Sequence, residues 1–267
     1  MRSQFWEKGF LSPAGNVDIL KASRNYLREA QQKEEHARQS GTAFKRFSYF
    51  SPDMNPHMVS KEARSLVTDK AILSKVMELI GEDIVCINSI YIAKPPKSED
   101  HLTPHQDEVF WGLRNSLAVS VWIALTDSTS SNGCLEVLPG SHMTRLDHKT
   151  HDDASNVLQM RESCASEIDV DKMVRLELKA GQFSIHHCRL VHMSRKNKSS
   201  DWRVGFIARY AHRSALDFDY MNKALYTEVI GDVGIKNAQE EPLEGEAARR
   251  VFNREYFRKL NDTALGI

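Results

Sequence analysis

Three features of the sequence predict an all-β core of the jelly-roll kind with helical cover. Residues up to Ile80 carry the apolar period of helices. From Asp83 the pattern changes to alternation in segments rich in β-branched residues. Those segments follow one another at short spacing with no long helical stretch between them, an arrangement that closes into two packed sheets.

Along the chain, "NVDILKASRNYLREAQQKEEHARQ" places Val17, Leu20, Leu27 and Ala30 near one helical face, with charges on the others. Lys61 to Ile80 repeats the pattern with Leu66, Val67, Leu73, Val76, Met77 and Ile80, and Gly81 stands where a C-terminal cap belongs. The two prolines of "SPDMNPHM" make the intervening segment a loop. "DIVCINSIYIAKPP" alternates and stops at Pro95-Pro96, which predicts a strand. "SLAVSVWIALTD" predicts a second, with Val119, Val121, Ile123 and Leu125 on one face and Ser120, Trp122, Ala124 and Thr126 on the other. Asn132-Gly133 in "SSNGCLEVLPGSH" is a hairpin signal, and "PGS" ends the strand after it. Met143 to Asp171 is polar and irregular and predicts a loop or lid. "KMVRLELKAGQFSIHHCRLVHMS" predicts two strands around a turn at Ala180-Gly181. "DWRVGFIARYAHR" predicts one more, with Val204, Phe206 and Ala208 alternating against Arg203, Gly205, Ile207 and Arg209. No repeat or linker interrupts the chain. The expectation is a single domain over 1–267: mostly helical cover over 1–81, β core over 83–215, and a C-terminal helix over 240–261.

Lys plus Arg and Asp plus Glu balance at 36 each. That removes the basic footprint of a nucleic-acid binder and leaves no basic run for a membrane surface. The most apolar segment is too short to span a bilayer, and the N-terminus lacks the uninterrupted apolar run of a secretory signal. Cys86, Cys134, Cys164 and Cys188 form no C-x-x-C pair, so they read as reduced thiols in a cytoplasmic protein rather than a zinc ribbon. Small molecules are the expected partners.

The chemistry starts at "TPHQDEVFWG". His105 and Asp107, two apart near a strand end, project to one side and offer an imidazole and a carboxylate to one metal. A distant histidine would complete the two-His, one-carboxylate set whose open positions suit non-haem Fe(II) oxygenases. "GQFSIHHCRLVHMSRKN" offers His186, His187 and His192; the first two are adjacent and face opposite sides of a strand. Arg203 follows His192 on the next strand, where a hairpin would make them neighbours and the guanidinium would clamp a carboxylate in a bidentate fork. A 2-oxo acid, chelating iron at one end, needs such a cation at the other.

"HQD" (105–107), "VWIAL" (121–125), "NGCLEVLPGSH" (132–142) and "GQFSIHHCRLVHMSRKNKSSDWRVGFIARY" (181–210) together resemble the phytanoyl-CoA dioxygenase family of Fe(II)/2-oxoglutarate oxygenases, as does "FWEKGFL" (5–11) its opening helix. The resemblance implies a double-stranded β-helix, cupin-like, with Fe(II) as cofactor and 2-oxoglutarate and O2 as cosubstrates. It places iron on His105, Asp107 and His192. It places Arg203, with Ser194 hydrogen-bonded alongside, on the distal carboxylate, and Trp122 and Asn88 near the cosubstrate. His187 matches a family position that is not a ligand. The implied reaction hydroxylates an unactivated C–H bond of a small-molecule metabolite, with succinate and CO2 as co-products. An Asp at position 107 argues for hydroxylation over halogenation, which uses a small residue there.

The same ligands also permit desaturation or cyclisation, and a metal-binding barrel without turnover is the reading from another class. Phe110 and Trp111, beside Asp107, are candidate substrate-pocket residues. Asn156, Gln159 and Arg161 are candidates for reading polar groups, and Arg209, on the face of Arg203, is either an ion-pair partner or a substrate contact. His142, His148 and His151 read as solvated loop residues, and Tyr91 as core.

Overall fold

The computed structural model describes residues 2–41, 55–58, 60–151, 153, 155–158 and 162–216. The helix expected over 240–261 lies outside them, as do Gln159 and Arg161.

The N-terminal part is less uniformly helical than its periodicity predicts. Helix α1 (Arg2–Lys8) is followed by a strand, β1 (Phe10–Asn16), and then by α2 (Leu20–Gln39). Pro13 and Gly15 disfavour helix, and β1 lies at a sheet edge, where a proline is tolerated. Helix α2 buries Ala22, Tyr26, Ala30 and Ala37 and leaves Leu20 exposed. The buried face is therefore rotated from the expected one, and it is anchored where Tyr26 stacks on Tyr91 with ring centroids 4.0 Å apart. The expected helix over 61–80 is two, α3 (Lys61–Val67) and α4 (Lys70–Ile80). Asp69 breaks it by capping α4, accepting from Ala71 N and Ile72 N at 2.8 and 3.3 Å.

The strands that follow are β2 (Ile84–Lys94), β3 (Leu102–His105), β4 (Ala118–Ala124), β5 (Leu135–Val137), β6 (His148–Thr150), β7 (Glu162–Cys164), β8 (Val174–Leu176), β9 (Gln182–His187), β10 (His192–Ser194) and β11 (Arg203–His212). Two antiparallel sheets form, in the orders β1-β9-β4-β11-β2 and β3-β10-β5-β8, and β6-β7 make a separate ribbon. From β2 to β5, and again from β8 to β11, the chain switches sheet at every step, which is jelly-roll winding.

This winding corrects three expectations. Asn132-Gly133 is a turn but not a hairpin, because β4 and β5 belong to different sheets. Its glycine is still required: φ is +80°, and a Cβ there would lie 2.2 Å from the Arg195 carbonyl oxygen. The segment expected as one strand from Gln182 to Ser194 breaks after His187, and β9 and β10 join opposite sheets. Arg203 and His192 are likewise on different sheets, so no hairpin joins them; Arg203 pairs in register with Lys94. The irregular stretch 143–171 contains the β6-β7 ribbon.

The outer face of the larger sheet carries Val119, Val121, Ile123, Phe183, Ile185, Val204, Phe206 and Tyr210, packed against Phe5, Tyr26, Leu66, Ile72, Val76 and Leu79 of the helices. Each such side chain contributes about 1.5–3 kcal/mol when fully buried. Tyr91 belongs to this core, as expected. Among the described residues no helix is long and apolar enough to cross a membrane.

Candidate metal centre and carboxylate pocket

A polar row crosses the inner face of the larger sheet. Asn88 pairs with Arg209, Arg209 with Ser120, and Ser120 with His186, across β2, β11, β4 and β9. The next row inward, Ile90, Ile207, Trp122 and Ser184, is mostly apolar. Opposite the polar row, β3 and β10 bring His105 and His192 into register, with rings 4.1 Å apart.

Gln106 is extended (φ −115°, ψ 134°), so His105 and Asp107 emerge on one side. Ligand atoms of His105, Asp107 and His192 all lie within 4.8 Å of one another, and all three residues are buried. His105 Nδ1 donates to Thr103 O at 2.8 Å and His192 Nδ1 to Leu190 O at 2.9 Å, which turns each Nε2 toward the cluster as a free donor atom. Burial lowers the His105 imidazole to about 4 and holds that of His192 well below its ordinary value. Both are neutral, the form that binds metal. Burial opposes ionisation of Asp107, but Arg209 and the surrounding imidazoles outweigh it and keep the carboxyl well below the usual range.

The carboxylate is also held mechanically. Ser120 Oγ donates to Asp107 Oδ2 at 2.7 Å, and Arg209 Nη2 to Oδ1 at 3.1 Å. Arg209 Nη1 donates in turn to Asn88 Oδ1 at 2.9 Å, and its guanidinium lies 5.4 Å from the Trp111 ring centre. Asn88 Nδ2 donates to Asn55 Oδ1 at 2.9 Å. Gln106 anchors the turn from behind: its amide bonds Thr144 O and Arg189 O at 2.8 and 2.5 Å, and Leu146 N donates to its Oε1 at 2.8 Å. Its backbone N–H donates to His148 Nε2 at 3.0 Å.

Arg203 is a different case. It is 2 % exposed, its Nε and Nη1 have no partner, and its guanidinium lies 4.3 Å from the Trp122 ring centre. The Trp122 ring passes over Gly205, where a Cβ would lie 2.0 Å from it. Burial lowers the guanidinium to about 10. A cation this deep without an anion is costly and calls for one.

Several expected site residues sit otherwise than the sequence suggested. Ser194 Oγ accepts from the buried Lys94 Nζ at 2.7 Å rather than from Arg203, because Lys94 reaches across from β2. Asn88 spends its side chain on Arg209 and Asn55. Arg209 takes the ion-pair role, with Asp107. Asn156 is buried and donates to Thr103 Oγ1 at 2.8 Å, bracing β3. Trp111 is half-buried beside Arg209, and the side chain of Phe110 is outside the described residues. His142 is buried, its Nε2 3.0 Å from Trp6 O, and His148 is half-buried on Gln106, so neither is a solvated loop residue.

Of the adjacent histidines, His186 faces the cluster, with Nε2 3.8 Å from Asp107 Oδ2, and His187 faces Trp6 and His142. Gln106 and Lys94 were missed as contributors to the site. Strand alternation placed Ser120 on the face of Trp122 without a role and left the choice between His186 and His187 open.

A model of the phytanoyl-CoA dioxygenase (PhyH) family matches residues 6–205. The chain belongs to the phytanoyl-CoA dioxygenase family. Phytanoyl-CoA dioxygenase 1 of Oryza sativa subsp. japonica is 34% identical over 113 residues, which are 42% of this chain and 40% of that relative. The peroxisomal phytanoyl-CoA dioxygenase of Homo sapiens is 28% identical over 212 residues, which are 76% of this chain and 58% of the human protein. The chain therefore matches only part of the length of these family members. Among solved structures, the non-heme monooxygenase ThoJ has a TM-score of 0.70 at 24% identity, covering 100% of this chain and 99% of that one. The epimerase SnoN from nogalamycin biosynthesis has a TM-score of 0.58 at 21% identity, covering 79% of this chain and 81% of that one. At these identities the likeness is one of fold, and the fold is the cupin-like jelly roll.

Proposed function

We propose that this member of the phytanoyl-CoA dioxygenase family is an Fe(II)- and 2-oxoglutarate-dependent oxygenase that hydroxylates an unactivated C–H bond of a small molecule. The observation that carries the reading is Arg203, a buried guanidinium with two unpartnered N–H groups, inside the same barrel as the His105, Asp107 and His192 cluster. Two neutral imidazoles and one ionised carboxylate suit a ferrous ion and leave positions for a chelating cosubstrate and O2. The distal carboxylate of 2-oxoglutarate supplies the acceptors that Nε and Nη1 of Arg203 lack. A barrel that only binds metal has no use for such an arginine. When bound, iron and 2-oxoglutarate supply the oxidising power, with succinate and CO2 released.

The chain's own residues do the rest. His105 and His192 present Nε2, oriented by backbone carbonyls. Trp122 walls the cosubstrate beside Arg203, and the apolar row around it excludes water. Asp107 fills the carboxylate position, which favours hydroxylation over halogenation. All four cysteines are buried and unpaired, in keeping with a reducing, cytoplasmic compartment that keeps iron ferrous.

The test is anaerobic addition of Fe(II) and 2-oxoglutarate. A weak charge-transfer band at about 500–530 nm is expected of the chelate. His192→Ala abolishes it, and His187→Ala, altering a residue packed on Trp6, retains it. Loss in His187→Ala with retention in His192→Ala would overturn the ligand assignment.

A further inference from the structure

We infer that Ser120, Arg209 and Asn88 are positioning residues that hold Asp107 to one-oxygen coordination, keeping three positions on the metal open. The inference rests on His105, Asp107 and His192 being the metal ligands. A carboxylate has about four lone-pair positions. On Asp107, Ser120 takes one on Oδ2 at 2.7 Å and Arg209 takes one on Oδ1 at 3.1 Å. The His186 imidazole stands 3.8 Å from Oδ2 and crowds that oxygen as well. What remains is the free lone pair of Oδ1, the oxygen 4.0 Å from His105 Nε2.

Chelation through both oxygens would require Oδ2 either to leave Ser120 or to displace the His186 imidazole. Ser120 is 1 % exposed, and Asp107 is its acceptor. Arg209 is fixed in the same way. Its Nη1 is tied to Asn88, its cross-strand partner, and Asn88 is tied to Asn55. The three residues occupy one row of the larger sheet, so β-sheet register, rather than a mobile loop, sets where their polar atoms point. The consequence is functional. A carboxylate free to bind through both oxygens would take a position that a bidentate cosubstrate and O2 both need.

The count of open positions is measurable without turnover. Mn(II) is bound to the full-length protein, and the water-proton relaxivity per bound ion reports the number of coordinated waters. Relaxivity is expected to fall by about a third in Ser120→Ala and Arg209→Gln, as three open positions become two. Ser120→Thr, which keeps the hydroxyl, restores it, and Asn88→Ala, which acts only through Arg209, reproduces the fall if Ser120→Ala does not fold. In the same variants the affinity for 2-oxoglutarate per bound Fe(II) drops about 10-fold. Unchanged relaxivity in Arg209→Gln and Asn88→Ala overturns the inference, as does an equal fall in Ser120→Thr. A wild-type protein that binds Mn(II) but gives no charge-transfer band with Fe(II) and 2-oxoglutarate overturns the oxygenase reading instead.

Discussion

Arg203 shows how one residue links stability to function. Burial lowers its guanidinium to about 10, a cost on the order of 3 kcal/mol at neutral pH. The Trp122 ring offsets part of that cost, and Nε and Nη1 have no hydrogen-bond partner among the described residues. Arg203→Met keeps much of the volume and removes the charge. It is expected to raise the unfolding free energy of the 2-oxoglutarate-free protein in urea denaturation by about 1–3 kcal/mol. It also weakens 2-oxoglutarate binding by about 100-fold with iron binding retained. A variant less stable than wild type with unchanged cosubstrate affinity would show that Arg203 is paired structurally. The sequence singled out the arginine through family likeness and through a hairpin with His192 that the fold does not form. The partner of Ser194 was not legible, because Lys94 lies a hundred residues away on β2, and only the packing of the two sheets brings it to β10.

Elements matter here for where they stop. The apolar period runs through Thr68 and Asp69, so periodicity alone joins α3 to α4. The side chain of Asp69 ends the argument by capping, and the bend lets Val67 O accept from Tyr210 Oη at 2.8 Å on β11. Asp69→Ala is expected to cost about 1 kcal/mol in urea denaturation, with metal binding unaffected. No loss would mean that packing of the apolar face, rather than the cap, holds α4 in place. Strand existence was largely readable from β-branched alternation, whereas strand pairing was not. A turn signal such as Asn132-Gly133 reports local backbone geometry, and a hairpin and a crossing between sheets use the same left-handed glycine.

At the scale of the whole molecule, buried neutral histidines make stability depend on acid. Burial lowers His57 and His187 to about 3 and His105 to about 4, from an ordinary 6.5. Above 6.5 neither folded nor unfolded chain carries protons on them, and their contribution is complete. As pH falls below 6.5 the unfolded chain takes up protons first, so stability declines until the folded values near 3–4 are reached. Each group contributes a slope of up to about 1.4 kcal/mol per pH unit. Urea midpoints of the metal-free protein are expected to drop between pH 7 and pH 5, and His57→Gln to remove no more than about a quarter of the histidine share, since His192 is lowered as well. A flat profile would show that these rings are solvated.

Local chemistry was enough to determine a great deal. The change of period near residue 83 marked the β core, and the H-x-D tripeptide marked two of the three residues of the candidate metal cluster. Spacing and family likeness together picked His192 and Arg203 out of a crowded segment. These signals are short-range or ordered along the chain, so they survive without coordinates. Only the tertiary structure decided which of His186 and His187 faces the metal cluster, that Arg209 serves Asp107, and that Asn88, Arg209, Ser120 and His186 form one row. The reason is that register between strands far apart in sequence is set by packing of the whole sheet, and no local pattern encodes it.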